Sequence, residues 1–235
     1  MKLAIMQPYF FPYLGYFSLI KNTSFFVVFD NVQFIRHGWI DRNRILKPLD
    51  DWQYIKVPIS KHNRETLIKD IKIKNDIDWV NRIISQVEHY KKKAPYYSVV
   101  VDILKQMERY KGESIVDVNI NALSLVCNYL SIGFKYEISS NLKIDWSKIT
   151  TPDDWALEIS KYYNASEYYN PPGGKDIFDG NKYRENGVEL KFLSINLVEY
   201  NQNREVFEPG LSIIDVMMFN SPEKIKEMLD NYNLE

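Results

Sequence analysis

Two uninterrupted apolar runs near the start of the chain, at residues 3–6 and 25–29, have the length of buried strands. Between them, Phe17, Leu19 and Ile20 follow a helical spacing, so a strand, a helix and a second strand are predicted within about thirty residues. In such a βαβ unit the crossover is right-handed, and ligands bind beyond the carboxyl ends of the strands. The loop at residues 7–16 and the segment that begins at Asp30 are therefore candidate positions for a site.

The hydrophobic pattern changes from alternation to helical spacing in the middle of the chain. Residues 52–59 alternate and predict a third strand, and residues 67–73 are a candidate fourth. Apolar residues three and four apart then predict helices at residues 78–92, from Pro95 to Gly112, and from the capping residue Ser114 to Gly133. We interpret residues 76–132 as a helical segment inserted between two α/β portions.

Strands and helices alternate again after the helical segment. Strands are predicted at residues 134–138, 166–169 and 188–195. Thr151 is predicted to cap a helix, and two more helices begin at Ser212 and Ser221. This alternation predicts an α/β fold with a Rossmann-like, mostly parallel sheet and helices on both faces. One domain would span residues 1–235, with α/β parts at about residues 1–75 and 133–235.

The charge balance and the single cysteine exclude several classes of function. The 235 residues include 30 basic and 31 acidic side chains, whereas a general nucleic-acid binder needs a basic face. No apolar run approaches the about 18 residues of a membrane span, and the short apolar start lacks a signal-peptide cleavage site. Cys127 lies in an apolar helical row, so no disulfide or zinc site is expected. We expect a cytoplasmic protein that binds no nucleic acid, inserts into no membrane and holds no metal.

The loop at residues 7–16 contains more aromatic side chains than a simple connection requires. Gln7, Tyr9, Tyr13 and Tyr16 are candidates for binding a small-molecule substrate, in a loop that prolines and Gly15 shape. The alternative is a hydrophobic plug at the edge of the sheet, in which aromatic rings beside proline only fill space.

Polar side chains collect just after the second predicted strand. Asp30 is a candidate general base, and Gln33, Arg36, Asn43 and Arg44 are candidates for contacting the substrate. An arginine binds phosphate or carboxylate through two parallel hydrogen bonds, so a sugar-nucleotide pyrophosphate or an amino-acid carboxylate suits this stretch. The alternative for some of these side chains is a solvated surface position.

Two further turns carry candidate binding residues near the same edge of the sheet. Tyr169, Gly173 and Gly174 follow a predicted strand, and the backbone N–H groups of glycines can approach an anion. Ser212 and Asp215 lie at a predicted helix start, where free N–H groups can also face an anion. An ordinary turn and a structural helix cap are the alternatives for these two places.

Several blocks of the sequence together resemble the WbqC-like family. In chain order they are Gln7-Pro8-x-Phe10-x-Pro12-x-x-Gly15, Asp30-x-Val32-Gln33-Phe34, Asn43-Arg44-Ile45, Tyr169-x-x-Pro172-x-Gly174-x-x-x-Phe178, Gly187-Val188, Tyr200-x-Gln202 and Phe207-x-Pro209-Gly210-Leu211-Ser212-Ile213-Ile214-Asp215. The resemblance spans essentially the whole chain and implies a single WbqC-like domain. The family is associated with gene clusters for O-antigen and other surface polysaccharides, so the resemblance implies a pathway without a mechanism. One departure is the tract at residues 170–174, which is less glycine-rich than family members commonly have.

A second resemblance concerns the turn after the first strand. Its layout is similar to the phosphate-binding turn of nucleotidyltransferases with a His-x-Gly-His motif, but Tyr13 and Tyr16 stand at the histidine positions. Tyrosine does not readily bring positive charge to a transferring phosphoryl group. This resemblance therefore favours a nucleotidyltransferase-like sheet more than it favours adenylyl transfer.

These observations lead to one functional hypothesis with alternatives. We expect a transferase of O-antigen or lipopolysaccharide synthesis that modifies a nucleotide-linked amino sugar, by acyl or aminoacyl transfer to the sugar amine. Arg44 and Asn43 would hold phosphate or carboxylate, Gln7 and Gln33 would orient the substrate, and Asp30 would act as general base. The alternatives are a non-catalytic subunit that binds a sugar nucleotide or a partner enzyme, and an adenylyl-transfer enzyme. The residues assign no cofactor, and a homo-oligomer is left open.

Overall fold

The central sheet takes strands from both ends of the chain. The computed structural model describes residues 1–49 and 51–235. The strands of this part are β1 (Lys2–Met6), β2 (Phe25–Val28), β3 (Arg42–Leu46), β4 (Trp52–Lys56), β5 (Tyr136–Ile138), β6 (Glu167–Asn170), β7 (Glu189–Ile195) and β8 (Tyr232–Leu234). Its α-helices are α1 (Leu14–Asn22), α2 (Trp79–Val87), α3 (Tyr97–Gln106), α4 (Ile115–Leu130), α5 (Asp154–Tyr162), α6 (Gly180–Glu185), α7 (Ile213–Phe219) and α8 (Pro222–Asp230).

The order of the strands creates a crevice beside β1. Among the described residues, six strands form one sheet in the order β5-β2-β1-β6-β7-β8. All neighbours are parallel except β7 and β8. The chain leaves β1 through α1 toward β2, whereas β6 pairs with the other side of β1. The connections therefore diverge at the carboxyl ends of β1 and β6, which is where open α/β sheets form a ligand crevice. The predicted Rossmann-like α/β class is confirmed.

Hydrophobic side chains cover both faces of the sheet. Ala4, Phe26 and Val28 belong to a large cluster that includes side chains of α1–α4, α7 and α8. Leu3 and Val27 belong to a smaller cluster with α5 and α6. Successive side chains of a strand point to opposite faces, so strands buried on both faces need consecutive apolar residues. This requirement explains the uninterrupted apolar runs of β1 and β2.

The hairpin of β3 and β4 differs from the sequence prediction. β4 lies within the strand predicted at residues 52–59, but it pairs antiparallel with β3 in a separate two-stranded sheet. β3 is absent from the prediction because the polar side chains of Arg42, Asn43 and Arg44 interrupt an apolar pattern. Residues 67–73, the candidate fourth strand, instead contain a 3₁₀ turn at Ile68–Asp70.

The helix starts confirm some of the predicted caps and correct one. The Ser114 side chain accepts a hydrogen bond from the Asp117 N–H at the start of α4, as predicted. Thr151 does not cap α5, which begins only at Asp154. Instead, the backbone N–H of Thr151 donates to the Asp154 carboxylate at 2.8 Å. The Asp154 carboxylate thus binds the chain just before the helix, and its negative charge suits the positive end of α5, which has no side-chain cap.

We predict that Leu104→Ala in α3 and Leu130→Ala in α4 each lower the free energy of unfolding by about 2–5 kcal/mol, because each leaves a cavity in the core. Both side chains are buried, whereas Val99 in α3 is 39% exposed. Val99→Ala is therefore the control and should cost much less. Chemical denaturation of the three variants and the wild type measures the differences. Unchanged stability of both leucine variants would show that the helical segment does not share the core.

Candidate functional site

A cavity of about 620 Å³ lies beyond the carboxyl ends of β1 and β6. Its lining residues are Ile5, Met6, Gln7, Tyr9, Pro12, Tyr13, Tyr16, Phe29, Trp39, Asn43, Pro152, Trp155, Ala156, Tyr168, Asn170, Pro171, Gly173, Gly174, Ile177, Phe178, Leu197 and Gly210. Within the described part of the chain, none of these lining side chains carries a formal charge. The cavity thus combines aromatic walls with a few neutral amide groups, which is typical of a small-molecule site.

The loop after β1 supplies a tyrosine-rich wall. Gln7, Tyr9, Tyr13 and Tyr16 all line the cavity, and the ring centroids of Tyr9 and Tyr16 are 5.7 Å apart. The Tyr16 hydroxyl donates a hydrogen bond to the Gln7 carbonyl oxygen at 2.9 Å. Burial raises the pKa of Tyr9, Tyr13 and Tyr16 above the ordinary value of a tyrosine. All three hydroxyls therefore stay protonated at neutral pH.

Two asparagines from distant elements hold the carbonyl groups of this loop. Asn119 in α4 is fully buried, and its amide nitrogen donates to the carbonyl oxygens of Pro8 and Ile40 at 2.8 and 2.9 Å. The Asn43 amide nitrogen in β3 donates to the Phe10 carbonyl oxygen at 3.0 Å. A buried carbonyl that lacks a donor costs free energy, so these bonds keep the loop in one conformation.

The start of α7 holds the next part of the loop. The Ser212 hydroxyl donates to the Phe11 carbonyl oxygen at 2.7 Å, and the Ile213 N–H donates to the Pro12 carbonyl oxygen at 2.9 Å. Phe11 is buried and has a backbone φ of 38°, in the left-handed region that aromatic residues rarely adopt. The surrounding hydrogen bonds therefore maintain a strained backbone beside the cavity.

Gly15 leaves the space that the Tyr13 ring occupies. A Cβ atom at position 15 would lie 2.4 Å from the Tyr13 hydroxyl oxygen and 2.6 Å from its Cε2 atom. The ring can fold over the first turn of α1 only because residue 15 has no side chain. A larger residue there would move Tyr13, and with it part of the cavity wall.

The end of β6 and the turn after it form another wall. Tyr168 and Asn170 line the cavity, and the Asn170 amide nitrogen donates to the Tyr168 hydroxyl oxygen. Tyr169 points to the opposite face of the sheet, where its hydroxyl donates to the Glu167 carboxylate at 3.0 Å. Both glycines of the turn line the cavity. Gly174 must be small, because a Cβ atom there would lie 2.4 Å from the Asn170 side-chain oxygen.

Aromatic side chains from β2 and α5 complete the lining. Phe29 follows β2 directly, and its ring centroid is 5.4 Å from that of Trp155 in the first turn of α5. Trp155 also contacts Trp146, at 5.0 Å between ring centroids. Ala156, the next residue of α5, lines the cavity and belongs to the smaller hydrophobic cluster. This side of the cavity is therefore apolar.

Arg44 in β3 lies beside the cavity wall. Its guanidinium carbon is 5.5 Å from the ring centroid of Trp39 and 5.1 Å from that of Trp52. One terminal nitrogen donates to the Gly210 carbonyl oxygen at 3.4 Å, and both Trp39 and Gly210 line the cavity. The Arg44 Nε atom is buried and has no hydrogen-bond partner among the described residues. Arg44 thus keeps unused donor capacity next to a neutral cavity.

Asp30, the predicted general base, lies outside the cavity lining. Its buried carboxylate accepts hydrogen bonds from the Ser139 hydroxyl at 2.9 Å, the Ser140 N–H at 2.9 Å and the Ser140 hydroxyl at 2.7 Å. Both carboxylate oxygens are therefore occupied, and Asp30 ties the end of β2 to the turn after β5. This geometry favours a supporting role over proton transfer.

Gln33 and Arg36 lie on the surface, away from the cavity lining. The Gln33 amide nitrogen donates to the Arg64 carbonyl oxygen at 2.7 Å. An isolated backbone bridge also joins Gln33 to Leu67. These contacts draw the segment after β2 toward the chain that follows β4, so its polar side chains leave the edge of the sheet.

Ser212 and Asp215 at the start of α7 are buried among protein groups. The Asp215 carboxylate accepts hydrogen bonds from the Tyr90 and Tyr200 hydroxyls, each at 2.6 Å, and from the Gln202 amide nitrogen at 3.3 Å. Burial raises the pKa of Asp215 to about 6, and these hydrogen bonds oppose the rise. Ser212 and Asp215 thus anchor the chain around α7 and do not line the cavity.

Sequence reasoning missed several residues of the site. Phe29, Trp39, Trp155 and Phe178 line the cavity, although nothing in their local patterns separates them from core or surface aromatics. Asn119 does carry a signal, because it is a polar residue within the apolar rows of α4. The residues three and four positions away, at 115, 116, 122 and 123, are apolar and buried. A buried asparagine needs hydrogen-bond partners outside its own helix.

Two kinds of feature are absent from the part of the chain that the structure describes. No group of three or more histidine, cysteine, aspartate or glutamate side chains is arranged there to hold a metal ion. None of the described helices has both the length and the hydropathy that a membrane span requires.

Comparison with known proteins yields a family match over nearly the whole chain. The model of the WbqC-like protein family matches residues 7–227, a range that includes every residue predicted for the site. The uncharacterized protein Rv1507c of Mycobacterium tuberculosis is 26% identical over 229 residues, which cover 93% of this chain and 93% of that protein. No solved structure matches the chain.

We predict that Asn119→Asp destabilises the protein by about 2 kcal/mol or more, because it removes the donors for two buried carbonyl oxygens. Asn128→Asp, at an exposed position of the same helix, is the matched control and should cost under about 1 kcal/mol. Denaturant unfolding measures both values. Equal effects of the two substitutions would mean that the Pro8 and Ile40 carbonyls do not depend on Asn119.

We predict that the wild type loses stability relative to Asp215→Asn as the pH rises from about 4 to about 6. The unfolded carboxyl group releases its proton near its ordinary pKa of 3.8, whereas the folded one holds it until about 6. The unfolded state therefore binds fewer protons across this window, and folding becomes less favourable by about 3 kcal/mol in total. Melting temperatures of both proteins between pH 4 and pH 7 measure the difference. A difference that stays constant with pH would contradict the prediction.

Proposed function

Because the chain belongs to the WbqC-like protein family, we propose that it is an enzyme of surface-polysaccharide synthesis that modifies a nucleotide-linked amino sugar. The pathway comes from the association of the family with gene clusters for O-antigen and other surface polysaccharides. The reaction in this proposal is the transfer of an acyl or aminoacyl group to the sugar amine. The enzyme would act in the cytoplasm on a small-molecule substrate.

The observation that carries the proposal is the neutral, aromatic cavity at the switch point of the sheet. Tyr9, Tyr13 and Trp39 offer faces on which a planar base or a sugar ring can lie, and Gln7 offers an amide that can bond to polar edges. A cavity of about 620 Å³ falls in the size range of small-molecule sites. The walls provide no charge, so the charged part of a nucleotide sugar must be held outside them.

Arg44 is the group to which we assign the phosphates of the ligand. Its guanidinium lies against the Trp39 and Trp52 rings, which restrict its orientation. Its two terminal nitrogens, of which one donates to the Gly210 carbonyl oxygen, form a planar edge that matches two phosphate oxygens. Because Trp39 lines the cavity, a phosphate bound at Arg44 would leave the rest of the ligand within reach of the aromatic walls.

The proposed transfer relies on orientation more than on acid–base catalysis. No carboxylate or imidazole is found among the described lining residues. The sugar nitrogen would attack the carbonyl carbon of the donor, a C–N bond would form, and the leaving group would depart with the electron pair of its broken bond. The amine proton would pass to the leaving group or to water. The protonated hydroxyls of Tyr9 and Tyr13 can donate to the carbonyl oxygen as its negative charge develops.

The geometry gives less support to adenylyl transfer. Of the two tyrosines at the positions of the His-x-Gly-His histidines, Tyr16 is buried and its hydroxyl bonds to the Gln7 carbonyl oxygen. Tyr13 is neutral, since burial raises its pKa. Neither residue brings positive charge to a phosphoryl group, which that reaction requires.

We predict that Arg44→Lys weakens the binding of a UDP- or dTDP-linked amino sugar about tenfold or more, because lysine keeps the charge but loses the two-point contact. The melting temperature of the free protein should change little. Arg42→Lys is the matched control, since the Arg42 side chain bonds to the carbonyl oxygens of His37 and Gly38. Thermal melts and calorimetric titration with and without the sugar nucleotide separate the effects. A variant that melts early yet keeps the full ligand-induced shift would rule out the binding role.

To test turnover, the protein is incubated with a panel of nucleotide-linked amino sugars as acceptors. The candidate donors are acyl-CoAs in one set of reactions and amino acids with ATP in another. Mass spectrometry should detect a product that is heavier than one sugar nucleotide by the transferred group. Matched sugar nucleotides with a hydroxyl in place of the amine should give no product. Binding without any product across the panel would favour a non-catalytic sugar-nucleotide-binding subunit.

A further inference from the structure

The cavity extends around the end of β1 and reaches both faces of the sheet. Met6, Tyr9 and Tyr16 line it from the side of the larger hydrophobic cluster. Ile5 and Ala156 line it from the side of the smaller cluster. Ile5 and Met6 are neighbours in a strand and point to opposite faces, so the cavity must pass across the edge of the sheet. It therefore has two sides of different chemistry, the tyrosine-rich side at residues 7–16 and the α5 side.

We define the α5 side by its lining residues Ile5, Phe29, Trp155, Ala156, Ile177 and Phe178. All six side chains are hydrocarbon in character where they meet the cavity, apart from the indole nitrogen of Trp155. Tyr168 also belongs to the smaller cluster and packs against Phe178, and its hydroxyl accepts a hydrogen bond from the Asn170 amide. Gln7 and Asn43, the other amide side chains of the lining, belong to the tyrosine-rich side or to the hairpin.

We propose that the α5 side binds the aliphatic chain of the acyl group that the donor carries, which rests on the proposed acyl transfer. Of these six residues only Trp155 carries a polar side-chain atom, so sugar hydroxyls, phosphates and the edges of a nucleobase would lose most of their hydrogen bonds to water there. An aliphatic chain makes no hydrogen bonds to water, so it loses none there, and burying its apolar surface lowers the free energy of binding. Ile177 is 52% exposed beside this wall, so an apolar rim marks the entrance that such a chain would pass.

The arrangement also separates the two substrates. The nucleotide sugar occupies the tyrosine-rich side, with its phosphates at Arg44, and the acyl chain occupies the α5 side. The carbonyl group of the donor then lies between them, near the end of β1 and the hydroxyls of the tyrosine-rich side. Such placement brings the sugar amine and the acyl carbon together without a charged side chain in the lining.

Calorimetric titration with free CoA, acetyl-CoA, butyryl-CoA and hexanoyl-CoA tests the subsite, because the carrier stays constant while the chain grows. Affinity should rise about three- to fourfold with each added methylene until the chain fills the α5 side. Equal affinity for free CoA and hexanoyl-CoA, or no binding by any member, would overturn the proposal.

Ala156→Phe tests the location, because the larger side chain fills the α5 side. It should abolish the gain from acetyl-CoA to hexanoyl-CoA while leaving the thermal shift by a UDP-linked amino sugar intact. Tyr13→Ala is the converse variant and should weaken the UDP-sugar while keeping the chain-length gain. An Ala156→Phe protein that still distinguishes hexanoyl-CoA from acetyl-CoA would refute the assignment.

A second pair of variants avoids any change in the core. Ile177→Gln and Leu197→Gln both replace exposed lining residues, with 52% and 41% exposure. Ile177 belongs to the α5 side, whereas Leu197 also lines a small neighbouring cavity with Leu14 and Gly210. Only Ile177→Gln should reduce the affinity for hexanoyl-CoA relative to acetyl-CoA, and equal effects of the two variants would count against the subsite.

The experiments distinguish failure of the acyl subsite from failure of the proposed function. Chain-length dependence without sugar-nucleotide binding would refute the proposed function alone, and the reverse result would refute the acyl subsite alone.

Discussion

The structure depends on hydrogen bonds to the carbonyl groups of the loop at residues 8–13. Two prolines leave this largely buried loop with fewer N–H donors than a chain of its length normally has. Asn119, Asn43 and Ser212 donate to its carbonyl oxygens from α4, β3 and α7. The helical segment, the hairpin and the C-terminal helices therefore meet at one loop, although they are distant in sequence. A change in any of them alters the wall of the cavity.

Holding the loop at several carbonyl groups also fixes the side chains between them. Tyr9 lies between the held carbonyls of Pro8 and Phe10, and Tyr13 directly follows the held carbonyl of Pro12. The chain bends at Phe11, which has a left-handed conformation. A wall that is formed before the ligand arrives costs less conformational entropy on binding. The value of a preformed wall also explains why several residues of the family blocks are buried and bind the loop or its neighbours through hydrogen bonds. They hold the groups that line the cavity without reaching it themselves.

The sequence was sufficient for the fold class but only for part of the site. β1 and β2 can be predicted because strands buried on both faces are uninterrupted apolar runs. β3 cannot be predicted from its hydrophobic pattern, because it begins with three polar residues, which the hairpin leaves half-buried or hydrogen-bonded. The loop at residues 7–16 was identifiable because it follows a buried strand and is rich in aromatics. The partners of Asp30 lie more than a hundred residues away in sequence, and no local pattern reveals such a contact. Whether Tyr168 or Tyr169 faces the cavity depends on the register of β6, and two adjacent tyrosines in the sequence do not reveal that register.

The neutrality of the cavity constrains how any ligand can bind and react there. An ionised phosphate among aromatic walls would lose its hydration without gaining an opposite charge, and for this reason we propose that phosphates bind outside the walls, at Arg44. The buried tyrosine hydroxyls keep their protons and can stabilise negative charge on a carbonyl oxygen, but they cannot readily remove a proton from an amine. A reaction in this cavity must therefore draw on the leaving group of the donor and on the alignment of the two substrates. An activated acyl donor meets both requirements, and its aliphatic chain suits the α5 side, whose only polar side-chain atom among the six defining residues is the indole nitrogen of Trp155.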